Sequence, residues 1–308
     1  MKNSYKENNF GRSKFSSKKN DDKNMNKRGR SFETSVKGNM KRNTEEKRAY
    51  VKDEAVAPIE NKTIAREDIV EGRNAVIEAL RSDRTIEQIL ISKGDKEGSI
   101  NVVRGLAKEK GIVVKEVDRK KLDLMSETGV HQGVIAKVTP YKYFTLEDML
   151  NKAEKSGEKP FIVILDEIED PHNLGSIVRT AELCGVHGII IPKRRNVGIT
   201  PTVYKSSAGA IEHMMVAKVT NINATIDELK EKNIWIYGAD MEGEDYSYKA
   251  NLDGAIALVI GSEGKGISKL TKEKCDKLIK IPMVGKINSL NASVAAGILM
   301  YEVLKTRL

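Results

Sequence analysis

Cysteine is nearly absent from this chain: 308 residues hold two, Cys184 and Cys275, far apart and in no CxxC pair. With only four scattered histidines, neither a zinc site nor a disulfide framework has the ligands it needs. No apolar run approaches the ~18 residues that would span a bilayer. The charged N-terminus lacks the apolar stretch of a secretory signal, and Asp21–Asp22 and Glu45–Glu46 argue against a transit peptide. A GxxxxGKS/T loop is missing, and so is a glycine fingerprint directly after the strand FIVILD, so nucleotide hydrolysis and NAD chemistry lose ground. A cytoplasmic protein of a reducing compartment is expected, with no membrane span and no metal.

Charge is what the chain has in excess, and it is unevenly spread. Lys+Arg is 53 against 44 Asp+Glu, a formal +9. Residues 1–50 hold 15 basic and 6 acidic residues, so that segment carries the whole excess and the remainder is balanced. Only 10 of those 50 residues are apolar or aromatic, too few to bury a core against chain entropy. Residues 1–66 are therefore read as a disordered basic tail. It is either a solvated extension or a loose RNA-binding arm, since scattered cations neutralise phosphates without reading sequence.

Two folded modules are expected after it. Order begins near Ile69, and residues 67–144 read as a compact α/β module. GRNAVIEALRS puts Val76, Ile77 and Leu80 on one helical stripe; EQILIS is a strand, INVVRGLAKEKG a helix, IVVKEV a strand, DRKKLDLMS a helix capped by Asp118, and GVIAKVTP a last strand. A Glu/Lys-rich helix over 145–160 leads out of it. From 161 to 308, FIVILD, GIII, MMVAKV, IWIYGA, AIALVIG and KLIKIP are short apolar runs separated by helical stretches. Buried strands alternating with helices make a mostly parallel sheet covered on both faces.

Ligands of such sheets sit at the carboxyl ends of the strands. Three loops there stand out. After FIVILD the loop carries Asp170, Pro171, His172 and Asn173, and the helix that follows carries Arg179. After AIALVIG comes GSEGKGIS, whose glycines permit close backbone approach and whose acid is Glu263; a glycine-rich turn with a solvated Glu fits equally well. After KLIKIP comes a segment in which Ser289 and Asn291 stand at a helix start, where capping is the ordinary role of either. Gly261, Ile281 and Leu290 by themselves read as a turn, a strand end and the start of a core-facing helix. Arg179 has apolar neighbours Ile177, Val178 and Ala181, so a partner is expected for it, and Glu263 is the acid at hand.

In their order, NLGSIVRTA, GSEGKGIS and IPMVGKINSLNASVAAG resemble the three motifs of the SpoU (TrmH-like) branch of SPOUT methyltransferases: N-x-G-x-x-x-R-T, G-x-E-x-x-G and I-P-M…S-L-N-x-S-x-A. All three match. VYKSSAGAIEHMMVAKVTN is similar to the subgroup that 2′-O-methylates a guanosine of 23S rRNA. EGRNAVIEAL and HQGVIAKV resemble the ends of that subgroup's substrate-binding domain. The resemblance covers about 68–308. It implies a trefoil knot in the C-terminal sheet, a homodimer with the site beside the subunit interface, and S-adenosylmethionine held through Gly261, Ile281 and Leu290, largely by backbone. It implies catalysis by Arg179, acting on the ribose 2′-OH as base or as stabiliser of the developing alkoxide, with Asn173, Ser289 and Asn291 orienting ribose, cofactor and loops and Glu263 counted with them among the catalytic residues. A guanidinium with pKa above ~12 is a poor base, which favours the second role. The implied activity is S-adenosylmethionine-dependent 2′-O-methylation of rRNA, without a metal. A tRNA 2′-O-methyltransferase of the same branch and a non-catalytic RNA-binding protein are the alternatives.

Overall fold

In the computed structural model of the chain, residues 68–95, 98–287 and 289–308 are described. The basic segment 1–66, and with it the expected tail, lies outside the described residues. The first sheet is built from β1 (Ile69–Glu71), β2 (Ile86–Ser92), β3 (Val114–Val117) and β4 (Val134–Val138), in the order β1-β4-β2-β3. β4 runs antiparallel to both of its neighbours, and β2 pairs parallel with β3. α1 (Arg73–Arg81) and α2 (Ser99–Glu109) pack one face through Val76, Leu80, Ile100 and Val103. α3 (Arg119–Met125) covers the other with Leu122 against Ile69, Leu90 and Ile135. Asp118, expected to cap α3, makes no side-chain cap bond and pairs with Lys93 at 3.0 Å.

The second sheet has seven strands and only parallel pairings. They are β5 (Phe161–Asp166), β6 (Gly188–Pro192), β7 (Val216–Val219), β8 (Trp235–Ala239), β9 (Asp245–Tyr246), β10 (Ile256–Gly261) and β11 (Lys277–Lys280), in the order β7-β6-β5-β10-β8-β11-β9. Every residue of β5 is buried, as its unbroken apolar run requires of a central strand. The pleat sends Phe161, Val163 and Leu165 towards α5 (Pro171–Leu183), α6 (Pro201–Ser206) and α9 (Ala292–Lys305). Ile162 and Ile164 face α4 (Leu146–Ser156) and α7 (Ile222–Glu231). α8 (Lys269–Lys274) links β10 to β11. α4, read from sequence as the lead-out from the first module, is also a packed layer helix: Leu146, Met149 and Ala153 are buried, Thr145 and Asp148 form a reciprocal capping box, and Gly157 ends it at φ 70°.

The core is continuous from α1 into α5 and α6. At this junction Arg84 and Glu212 are 7% and 5% exposed and paired at 3.0 Å. Arg84 also donates to Thr139 O at 2.9 Å and stacks on the Tyr204 ring at 4.5 Å, while Ser82 Oγ donates to Glu212 at 3.2 Å. Gly209 stands at φ 90°, where a Cβ would strike Glu78 and Ala75 of α1. Among the described residues no helix is long and apolar enough to cross a membrane, and no cluster of His, Cys, Asp and Glu could hold a metal ion.

Candidate active site

Three strands of the large sheet, β5, β10 and β11, deliver their C-terminal ends to one place. β5 ends at Asp166, which is buried and accepts from Ser268 N at 2.9 Å, tying the loop after β10 to β5. Asp170 caps α5 by accepting from His172 N at 2.8 Å, with Pro171 in the first turn, where a missing N–H costs nothing. This fixes Asn173, 8% exposed, one turn into the helix. Gly175 follows because α5 and α6 touch there: a Cβ would strike Ser206 and the Ser207 backbone.

The loop after β10 is a tight reversal. Ser262 N donates to Gly266 O at 3.2 Å, and Gly266 N returns a bond to Ser262 O at 2.8 Å. Gly266 takes φ 65°. Gly261 has an ordinary φ and is needed for a different reason, since a Cβ would run into the Gly266 and Ile267 backbone. Glu263 sits at the exposed tip.

The third loop ends at Asn291, the N-cap of α9. Its Oδ1 accepts from Ser293 N at 3.0 Å and Val294 N at 3.3 Å. Capping does not exhaust the side chain. Nδ2 of Asn291 donates to Asn173 Oδ1 at 2.9 Å and also to Glu263 Oε1. Asn173 Nδ2 donates to the same Glu263 oxygen at 2.9 Å, and Ala292 N does so at 3.4 Å. One residue from each loop thus meets in a closed triangle, with the carboxylate as shared acceptor.

Two cavities flank the triangle. The larger, about 380 Å³, is lined by Gly261, Glu263, Ile281, Ser289 and Leu290, with Ile260, Met241 and Met283 as apolar walls. The smaller, about 280 Å³, is lined by Glu167, Glu169, Asp170, Asn173, Glu263 and Lys265. Ser262 to Lys265 and Ala292 border both, so the Glu263 loop is the wall between them. Seven of the eight residues singled out from sequence therefore lie together.

Arg179 is the exception. Its expected pairing with Glu263 is not made: Arg179 is exposed, lines neither cavity, and has no hydrogen bond or ion pair among the described residues. Six residues beyond Asn173 on one helix mean ~600° of turn and ~9 Å of rise, which carries it to another face. That face is shared with Ser176 and Leu183. It lies beside a groove between α5 and α9 where Val294, Ile298 and Tyr301 are exposed.

Sequence reasoning passed over Asp166 and Met241. Asp166 had a signal, an acid closing an otherwise apolar strand; Met241 had none, whereas Met283 belongs to the I-P-M motif. Neither cysteine lines the site, and burial pushes the Cys184 thiol up and Cys275 up to about 12.

Comparison with known proteins gives a consistent picture. The SpoU rRNA Methylase family matches residues 160–301, and the family described as RNA 2′-O ribose methyltransferase substrate binding matches 69–144. YacO of Bacillus subtilis, named for the TrmH family of tRNA/rRNA methyltransferases, is 56% identical over 78% of this chain and 96% of its own length. A Staphylococcus epidermidis protein named for the same family is 49% identical over 78% and 97%. Among solved structures, the SpoU methyltransferase AviRb of Streptomyces viridochromogenes, in complex with AdoMet, superposes with a TM-score of 0.65 at 22% identity, covering 78% of this chain and 89% of its own. An AdoMet-bound rRNA methyltransferase of Sinorhizobium meliloti gives 0.63 at 22%, covering 78% and 88%. At those identities the likeness is one of fold.

Proposed function

We propose that this chain, which belongs to the SpoU/TrmH family of RNA 2′-O-ribose methyltransferases, methylates a guanosine ribose of 23S rRNA with S-adenosylmethionine as methyl donor. The observation that carries the reading is the Asn173–Glu263–Asn291 triangle between two cavities. It joins the three family motifs at the carboxyl ends of the strands.

The larger cavity fits the methyl donor. Its volume lies in the ~300–1,000 Å³ range of small-molecule sites. Its apolar walls suit the uncharged parts of the ligand, and Glu263 and Asp240 on its lining suit a sulfonium cation. Gly261, Ile281 and Leu290 would hold it, largely through backbone groups, with Ser289 beside them. When bound, S-adenosylmethionine supplies an already electrophilic methyl, so no metal is needed.

The chain's own residues do the rest. Glu263, accepting from three donors, keeps the two loops in register and walls off the nucleotide side from the donor side. Asn173 and Asn291 orient loops and ribose. Arg179 binds the adjoining phosphate and stabilises charge developing at the 2′ oxygen. Its place on the exposed α5 face goes with a homodimer. Val294, Ile298 and Tyr301 form an apolar groove that a second copy would cover, bringing Arg179 to the subunit boundary. The trefoil knot belongs to the same reading, as what membership of the family implies for this sheet. A cytoplasmic location goes with a ribosomal substrate.

The test is a map of ribose methylation in rRNA and tRNA from cells with and without the protein. Loss of a single 23S guanosine methylation is expected. Loss confined to a tRNA would move the substrate to the other arm of the family.

A further inference from the structure

The segments that open and close the N-terminal module, EGRNAV and HQGV, take no part in the methyl-transfer site. They meet each other instead. Gly72 N donates to Val134 O at 3.3 Å, Arg73 N to Gln132 Oε1 at 2.9 Å, and Arg73 Nε to Gln132 O at 3.0 Å. The meeting depends on backbone that favours glycine: Gly72, Gln132 and Gly133 have φ of 96°, 52° and 81°. The result is a cleft of about 460 Å³ lined by Arg73, Asn74, Asp95, Ser99, Arg119 and Gln132.

Its chemistry is donor-rich. Spending Nε on Gln132 fixes the plane of the Arg73 guanidinium and leaves its two terminal nitrogens, one of them 3.9 Å from Asp95. Among the described residues Asp95 is the single carboxylate on the lining; it stands beside Arg73, and no described acid pairs with Arg119. Asn74 and Arg119 are exposed and have no hydrogen bond or ion pair among the described residues. Two guanidiniums, one already oriented, with a free amide and a hydroxyl on the same lining, match the oxygens of a phosphodiester.

We propose that this cleft holds the sugar–phosphate backbone of the substrate RNA, with Arg73 and Arg119 as its cationic contacts and Asn74 as a neutral donor. The proposal rests on the reading of the chain as an RNA methyltransferase. It says where the first module grips and what it grips, namely backbone and not base edges. Such contacts set register and leave the choice of nucleotide to the catalytic unit.

The test is equilibrium binding of the full chain to a 23S rRNA transcript across a salt series, which needs no catalysis. Arg73 helps to hold the fold, so the variants are Arg119→Ala and Asn74→Asp. Lys108→Ala serves as a control of equal charge loss, exposed at the far end of α2. Arg119→Ala is expected to weaken binding about tenfold and lower the log–log salt slope by about 0.7, Asn74→Asp to weaken it similarly, and Lys108→Ala to change neither. The losses should be equal on an unrelated single-stranded RNA, because phosphates carry no sequence. Competition by inorganic phosphate should stay weak at concentrations that leave the ionic strength unchanged. Wild-type affinity and slope in both cleft variants would overturn the proposal while leaving the methyltransferase reading intact, as would an equal loss in Lys108→Ala. A loss seen on one sequence only would make the cleft a base reader and overturn it. Absent methyl transfer with the expected binding losses would fault the catalytic reading alone.

Discussion

Asn291 Nδ2 donates to Asn173 Oδ1 at 2.9 Å, joining the first turns of α9 and α5 across 118 residues of chain. The same amide caps α9 with its oxygen, so structure and site share one side chain. The two duties can be separated. Asn291→Asp keeps a good cap but replaces a donor with a charge facing Glu263. It should lose about 100-fold or more in methyl transfer, in the range of losing one positioned polar group, while the melting temperature changes little. Asn291→Ala should also lose the cap, costing ~1 kcal/mol in stability. Equal activity in the Asp variant and the wild type would remove Asn291 from the site.

Arg179 supports a second prediction. Because it is exposed and lines neither cavity, Arg179→Ala should leave stability within ~0.5 kcal/mol and S-adenosylmethionine affinity within a few-fold. Methyl transfer should fall by ~100-fold or more, as when one donor to a developing oxyanion is removed. Calorimetry gives the first two quantities and initial rates the third. Lost cofactor binding would reassign the residue.

The Arg84–Glu212 pair is buried at both ends, and Arg84 also lies on the Tyr204 ring. Glu212→Ala leaves a buried guanidinium without its acid and should cost ~3–5 kcal/mol. Denaturant unfolding measures this. A cost below ~1 kcal/mol would mean that water reaches the junction readily.

Acid stability should report on His187. Its Nδ1 accepts from Phe161 N at 3.0 Å, and Nε2 lies 3.1 Å from Glu158. Burial pushes the imidazole below its ordinary 6.5, with Lys152 and Arg307 adding to the effect and Glu158 opposing it. The unfolded chain therefore binds the proton at a higher pH than the folded one. Stability from this group is full above pH 6.5 and is lost as the pH falls through 6.5 towards the folded value. Melting curves from pH 7.5 to pH 5 should show a decline that His187→Asn flattens. An identical decline in the variant would assign it to the carboxylates.

Much of this was legible in the residues. FIVILD had to be a covered central strand, and the three polar loops announced themselves because they interrupt a buried parallel sheet. Other features are long-range and leave no local pattern. β9 is two residues of edge strand, Asp245 and Tyr246, paired only with β11. Arg179 looked like an interior residue because Ile177, Val178 and Ala181 surround it in sequence, yet helical rotation turns it outward. Gly261 looked like a turn glycine, and the space taken by the Gly266 backbone is what excludes a side chain. Nothing near Arg84 in sequence announces Glu212, 128 residues away.

The proposed reaction places a single methyl on a single ribose. The direct measurement incubates the purified chain with labelled S-adenosylmethionine and unmodified 23S rRNA and tRNA transcripts, then digests the product to nucleosides and identifies the labelled one by mass spectrometry. 2′-O-methylguanosine from 23S rRNA is expected, approaching one per molecule, and none once Asn173 is replaced by alanine. Label on a base, or only in tRNA, would contradict it.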